Sequence, residues 1–249
     1  DRLGADIELV RRGIGADARI GEGFLRAGAG YGGSCFPKDV EALCRTAQSQ
    51  GQRLKVLEAV QAANAAQKQV LLDKVHQRFG TDLRGRRFAV LGLAFKPDTD
   101  DVREAPSRAI ICGLLRAGAR VVAHDPVAQE HAARALMDDL QDAPALLGRI
   151  RYATHPLDAL EGADALLLVT EWHGYAALDP QAIKDALRTP LVFDGRNLFD
   201  PHKLAAAGVA CIGIGRSNLA LVKPAARRRK AAVAAGAGVH AGAAALPAT

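Results

Sequence analysis

The sequence predicts an α/β protein in which a helical region with one long helix is followed by a parallel sheet wrapped by helices. Three observations predict it. Apolar residues recur at helical spacing from residue 54 to residue 79 without an internal Gly or Pro. Beyond residue 83, short apolar runs of strand length alternate with helical stretches, the signature of a parallel sheet. Aromatic residues are only 4% of the chain while alanine is abundant, so the packing must be aliphatic and helix-rich.

In order, Ile7, Leu9 and Val10 among charges predict a short helix over residues 5–12, and a glycine-dense loop follows over residues 13–33. A helix begins around Ser34-Cys35-Phe36-Pro37-Lys38-Asp39 and runs to about residue 49. Pro37 suits the first helical position, and Asp39 suits the first turn. The long helix, Leu54 to Phe79, would measure about 40 Å, too long to bury in one small domain. It is expected to bridge two domains or to make a subunit contact. Strands are expected at residues 87–95, 120–123, 150–153, 165–169, 191–193 and 209–212, with helices at 107–117 and 129–140. From about residue 222 the composition collapses to Ala, Gly, Val and basic residues, expected to be a disordered tail.

The formal charge of +6 is concentrated in Arg227, Arg228, Arg229 and Lys230, and the remainder is close to neutral. Charge therefore gives no reason to expect nucleic-acid binding by the folded part. No apolar run reaches membrane-spanning length and no signal peptide opens the chain, so a cytoplasmic protein is expected. Cys35, Cys44, Cys112 and Cys211 show neither zinc spacing nor a disulfide framework, and reduced thiols with no metal site are expected. The chain opens on Asp1 within a helix-like stretch and is expected to begin inside a longer protein.

Cys35 is the sharpest chemical feature. It stands at a helix start, beside Lys38 and after Gly32 and Gly33. A helix N-terminus and a lysine both favour thiolate, the nucleophilic form. Glycines let backbone N–H groups approach a ligand. Asp39, one turn on, is placed to orient a water or accept a proton. An isolated cysteine is more often a small buried residue, and that reading suits Cys44, Cys112 and Cys211. The loop after the first strand, Gly92-Leu93-Ala94-Phe95-Lys96-Pro97, has no dinucleotide fingerprint. Phe95 and Lys96 could stack on a base and pair with a phosphate, and Arg103 could meet an anion. Composition alone favours a solvated polar loop there. Arg196, in Asp194-Gly195-Arg196-Asn197 after a later strand, is a weaker candidate for the same ligand.

Three motifs carry a family resemblance. Arg19-Ile20-Gly21, Phe24-Leu25-Arg26-Ala27-Gly28 and Gly30-Tyr31-Gly32-Gly33-Ser34-Cys35-Phe36-Pro37-Lys38-Asp39 resemble the cysteine motif of nucleotide-sugar dehydrogenases. Gly92-Leu93-Ala94-Phe95-Lys96-Pro97 with Thr99-Asp100-Asp101-Val102-Arg103-Glu104-Ala105-Pro106-Ser107 resembles the opening of their UDP-binding domain. Asp194-Gly195-Arg196 is similar to a third motif. The resemblance, to the UDP-glucose/GDP-mannose dehydrogenase family, runs over residues 1–216.

The resemblance implies a central helical domain (1–82) with the cysteine motif, a Rossmann-like UDP-sugar-binding domain (83–221) and a tail (222–249). It implies NAD-dependent oxidation of UDP-glucose to UDP-glucuronate in two steps, through a thiohemiacetal and then a thioester on Cys35, with Asp39 assisting proton transfer. Arg19 would reach the sugar of a neighbouring subunit, and Phe24, Leu25 and Arg26 would line the substrate cleft. Tyr31 and Gly32 would line the sugar pocket, Phe95 and Lys96 would hold the nucleotide, and Arg196 would complete the site. Lys38 and Arg103 would face NAD, and the long helix would form a homodimer. The family's NAD-binding domain precedes the cysteine motif and is expected to be absent from this chain, leaving it inactive alone. Alternatives are a relative acting on GDP-mannose or a UDP-N-acetylhexosamine, and a non-catalytic UDP-sugar-binding or dimerisation module.

Overall fold

The computed structural model describes residues 1–216. The expected tail from residue 222, with its basic cluster, lies outside the described residues. Helix α1, Ile7–Gly15, starts at Asp6, whose side chain accepts from the Glu8 N–H, and it extends past the expected end at residue 12. Helix α2 is Phe36–Ser49, with Cys35 as its N-cap residue and Pro37 in its first turn. Helix α3, Lys55–Phe79, is the long helix, and it stops at Gly80, whose φ of +85° no other residue adopts readily.

Strands β1 (Arg87–Leu91), β2 (Arg120–His124), β3 (Ile150–Tyr152), β4 (Ala165–Leu168), β5 (Leu191–Asp194) and β6 (Ala210–Gly213) form one sheet of order β3-β2-β1-β4-β5-β6. Every pairing is parallel, for example Phe88 with Val121 on one side and with Ala165 on the other. Helices α4 (Pro106–Arg116), α5 (Gln129–Asp139), α6 (Pro156–Leu160), α7 (His173–Ala176), α8 (Pro180–Ala186) and α9 (Pro201–Ala206) make the crossovers, with a 3-10 turn at Pro144–Arg149. This is the strand order of a doubly wound sheet, which reverses direction between β1 and β4.

The first strand is shorter than expected. It ends at Leu91, because Gly92 turns the chain at φ +93° against Thr170 and the apolar residues that follow, Leu93 and Ala94, belong to a buried loop. Continuous hydrophobicity could not separate strand from buried loop here. The short helices α6 to α9 were not resolved individually by periodicity, since four to seven residues hold too few repeats.

Phe88, Ala89, Val90 and Leu91 are fully buried at the sheet centre, as are all four residues of β4. Burial on both faces explains why these strands read as unbroken apolar runs. Leu71, Leu72 and Val75 of α3 join the same hydrophobic cluster. Gly113 lets α3 lie close on α4: a Cβ there would come within 2.2 Å of Leu72 Cδ2. α3 also packs on α2. The long helix thus ties the cysteine segment to the sheet.

At the end of β2, His124 is buried with Nδ1 2.9 Å from the Tyr175 hydroxyl, which donates to the His124 carbonyl at 3.0 Å. Burial pushes the imidazole pKa down, outweighing the neighbouring Asp125. The unfolded chain therefore binds a proton that the folded chain resists. This contribution to stability is complete above about pH 6.5 and is lost as pH falls below it. Urea midpoints are expected to drop from pH 7.5 to pH 5.5 more steeply in the native protein than in His124→Asn; equal slopes would remove His124 as the cause.

Candidate active site

The loops after β1, β4 and β5 converge where the strand order reverses, the usual ligand edge of an open parallel sheet. All four non-glycine residues with positive φ among the described residues, Phe24, Asp98, Glu104 and Asn197, lie on loops at this edge or on the glycine loop that meets it. Sparsely populated backbone conformations concentrate at functional sites.

Residues 28–35 form neither helix nor strand and are gripped from two sides. On the sheet side, the Gly33 N–H donates to the Arg103 carbonyl at 2.7 Å. A Cβ on Gly32 would lie 2.5 Å from the Glu104 carbonyl oxygen, and one on Gly33 would lie 2.9 Å from the Phe95 ring. On the helix side, Asn64 and Gln67 of α3 bond the backbone of Tyr31 and Gly28. Gly32→Ala is expected to destabilise the fold by about 1–3 kcal/mol, because a backbone carbonyl cannot give way as a flexible side chain can. Differential scanning calorimetry would show it; an unchanged melting temperature would mean that the seam opens freely.

Cys35 is exposed at the start of α2, with Ser34 Oγ 3.6 Å from its Sγ. The Arg103 pKa is raised, chiefly by its hydrogen bonds to Asp101. The Asp101 carboxyl is held below the usual range, first by Arg103 and least by Ser34. Lys38 makes an exposed ion pair with Asp39 at 3.9 Å. The Asp39 N–H donates to the Cys35 carbonyl at 2.8 Å, and its carboxylate is exposed beside Lys38.

Two grooves flank this loop. One, of about 580 Å³, brings together Phe24, Arg26, Tyr31, Gly32, Phe95 and Arg196, within the usual size of small-molecule sites. The other, of about 740 Å³, includes Lys38 and Arg103. Leu25 is half-buried and lines neither groove. Arg19 is exposed, ion-paired to Asp17 at 2.6 Å, and lies outside both grooves. Lys96 is also outside them, with its ammonium 5.5 Å from the Phe95 ring centre.

Arg196 is more constrained than its loop position suggested. Its Nε donates to the Val169 carbonyl at 2.8 Å and lies 3.2 Å from Glu171 Oε2, and its Nη2 donates to the Phe95 carbonyl at 3.1 Å. Burial lowers its pKa despite Glu171 and Asp194. The side chain ties three loops together, and its Nη1 faces Gly28, where a Cβ would approach to 2.7 Å.

The sheet does not suit a dinucleotide. In such sheets the first strand leads into Gly-x-Gly-x-x-Gly and an acid after the second strand takes the ribose. Here the loop reads Gly92-Leu93-Ala94-Phe95-Lys96-Pro97. The acid at the end of β2, Asp125, is buried and fully engaged. Its Oδ2 accepts from the Leu93 and Ala94 N–H groups and from Trp172 Nε1, and its Oδ1 accepts from the N–H groups of Val127 and Ala128. Gly28-Ala29-Gly30-Tyr31-Gly32-Gly33 has the fingerprint's spacing, but no strand precedes it. Its glycines serve close packing on Arg196, Asn64, Glu104 and Phe95.

Sequence reasoning missed Asn64, Gln67, Glu171 and Asp125. Only the first two left a signal, as amide side chains three residues apart in an alanine-rich helix.

Residues 1–66 match the central domain of the UDP-glucose/GDP-mannose dehydrogenase family, and residues 89–201 match its UDP binding domain. A UDP-glucose 6-dehydrogenase of Pseudomonas aeruginosa is 50% identical over 213 residues, covering 86% of this chain and 46% of that protein. One from Rhizobium meliloti is 43% identical, covering 88% and 47%. A solved UDP-glucose dehydrogenase from Pyrobaculum islandicum superposes with a TM-score of 0.71 at 36% identity, covering 87% of this chain and 45% of that one. The chain spans about half the length of the curated relatives it matches.

Proposed function

Because the chain belongs to the UDP-glucose/GDP-mannose dehydrogenase family, we propose that it forms the thiol-bearing and UDP-sugar-binding part of an enzyme that oxidises UDP-glucose to UDP-glucuronate. The observation that carries this reading is the gripped loop 28–35, which ends on the exposed Cys35 and contributes Gly28, Gly30, Tyr31 and Gly32 to a groove with Phe24, Arg26, Phe95 and Arg196; Cys35 itself lines neither groove. Residues 1–82 supply the nucleophile, and residues 83–221 the nucleotide-sugar platform. UDP-glucose is favoured over GDP-mannose or a UDP-N-acetylhexosamine because relatives 50% and 43% identical are named for it.

In this reading Phe24 and Phe95 offer apolar surface to the base and sugar, and Arg26 and Arg196 face the diphosphate. The Cys35 thiolate adds to the C6 aldehyde carbon, and the resulting oxyanion takes a proton to give the thiohemiacetal. Loss of the C6 hydride to NAD, together with loss of the hydroxyl proton to water, converts that adduct into a thioester. Water, oriented by Asp39, then attacks the thioester carbon, expelling the thiolate and leaving the carboxylate. Each oxidation needs NAD as hydride acceptor. The described residues build no dinucleotide cradle, with Lys38 and Arg103 contributing at most a rim. The chain by itself is therefore expected not to reduce NAD. We also propose that α3 joins two copies and that Arg19, free of its own grooves, reaches a neighbouring copy's site. Among the described residues, no helix is long and apolar enough to cross a membrane.

The test is a thermal-shift titration with UDP-glucose, with GDP-mannose as control. A selective rise in melting temperature is expected, since a ligand that binds the native state stabilises it. A rise with GDP-mannose alone would overturn the substrate assignment, and silence with both would overturn the groove.

A further inference from the structure

Tyr31 and Asn64 line both grooves, so together they form the wall between them. The wall has an unusual construction. Tyr31 lies in a segment without secondary structure, yet both its backbone polar groups are engaged by one side chain. Its N–H donates to Asn64 Oδ1 at 2.8 Å, and its carbonyl accepts from Asn64 Nδ2 at 3.1 Å. An amide is the side chain that can do both at once, mimicking a strand partner. One turn along α3, Gln67 Nε2 donates to the Gly28 carbonyl at 2.7 Å. Gly30, at φ +106°, lies so close that a Cβ there would meet Asn64 Oδ1 at 2.9 Å.

The clamp reaches the thiol through the Tyr31 ring. That ring packs edge-on against Phe36 with centroids 4.8 Å apart, and Phe36 is the residue after Cys35 and the first of α2. We propose that Asn64 is a positioning residue: by holding the Tyr31 backbone it fixes the Phe36 contact and so the place of Cys35 at the start of α2, next to Gly33 and Ser34 on the rim of the larger groove. α3 is anchored at its other end in the sheet core by Leu71, Leu72 and Val75. The helix thereby references the thiol to the sheet whose loops carry Phe95 and Arg196. The consequence for catalysis rests on the reading of Cys35 as nucleophile; the clamp itself does not.

The experiment uses the full chain with Asn64→Leu, which removes both bonds, and Asn64→Asp, which keeps the acceptor for the Tyr31 N–H. Val75→Ala serves as a control that destabilises α3 away from the loop. Two quantities are measured: hydrogen–deuterium exchange of the segment 24–35, and protection of Cys35 from iodoacetamide by UDP-glucose. Asn64→Leu is expected to exchange about tenfold faster in that segment, since two hydrogen bonds are lost, and to lose protection by a similar factor. Asn64→Asp should lie between Asn64→Leu and the native protein. Val75→Ala should lower the melting temperature while leaving protection intact. Native exchange in Asn64→Leu, or equal loss of protection in Val75→Ala, overturns the proposal. Absence of protection in the native chain would instead sink the substrate reading, while exchange would still decide the clamp.

Discussion

Cys35→Ser, in this chain joined to the NAD-binding half of a relative, is expected to lower UDP-glucuronate formation by about 10³-fold or more. Serine at this position has the size of cysteine but is a far weaker nucleophile at neutral pH, and its ester would replace a reactive thioester. The loss should fall on turnover rather than on UDP-glucose binding, because the groove is lined by other residues. A steady-state comparison checks this, and a variant with native turnover would remove Cys35 from the chemistry. The unmodified chain offers a companion test, since its four thiols sit in very different surroundings. Cys35 is exposed, and Cys44 and Cys112 are buried. Burial pushes the Cys112 thiol up to about 11 and the Cys211 thiol up to about 12. The thiolate is the reacting species, so at pH 8 iodoacetamide should modify Cys35 well before Cys112 or Cys211. Peptide mapping that finds Cys112 labelled first would contradict the placement of the loop.

Asp125→Ala is expected to cost the most stability of any single change at this edge. Four backbone N–H groups and the Trp172 indole N–H all donate to its two oxygens in a buried setting. Removing the acceptor leaves these donors unpaired, and each buried orphan costs about 1–3 kcal/mol. Even with partial hydration of the cavity, a loss of about 4 kcal/mol or more follows, a large share of the 5–15 kcal/mol typical of a whole domain. The change should also release the loop bearing Phe95, which Ser107 and Thr170 brace only through the carbonyls of Leu93 and Ala94. Urea unfolding of the native and variant chains measures it, and a cost below about 1 kcal/mol would mean that water replaces the carboxylate.

Much of the architecture was legible before the fold was seen. Helical spacing located α3 to within one residue, and apolar runs located the strands: β1, β4 and β5 are buried on both faces and so continuously apolar, whereas β2, β3 and β6 are only partly buried and read as shorter runs. The four short helices after β3 escaped, and so did the early end of β1, where a buried loop is as hydrophobic as a strand. At the candidate site, glycine density and a helix start marked Cys35, and positions after strands marked Phe95 and Arg196, whereas Tyr31 was expected from the family resemblance alone. The placement of Arg19, Leu25 and Lys96 outside both grooves had no such mark.

By itself, the sequence determined the parallel α/β class, the long helix and a cysteine at a helix start, because each is written in residues close together along the chain. Only the tertiary structure decided that Asn64 would clamp Tyr31, 33 residues away, and that Arg196 would tether Phe95, 101 residues away. It also decided that Asp125 would be consumed by backbone donors instead of meeting a ribose. Hydrogen bonds between distant segments have no period and no spacing. They exist only once the core has brought buried donors and acceptors together, where each must find a partner.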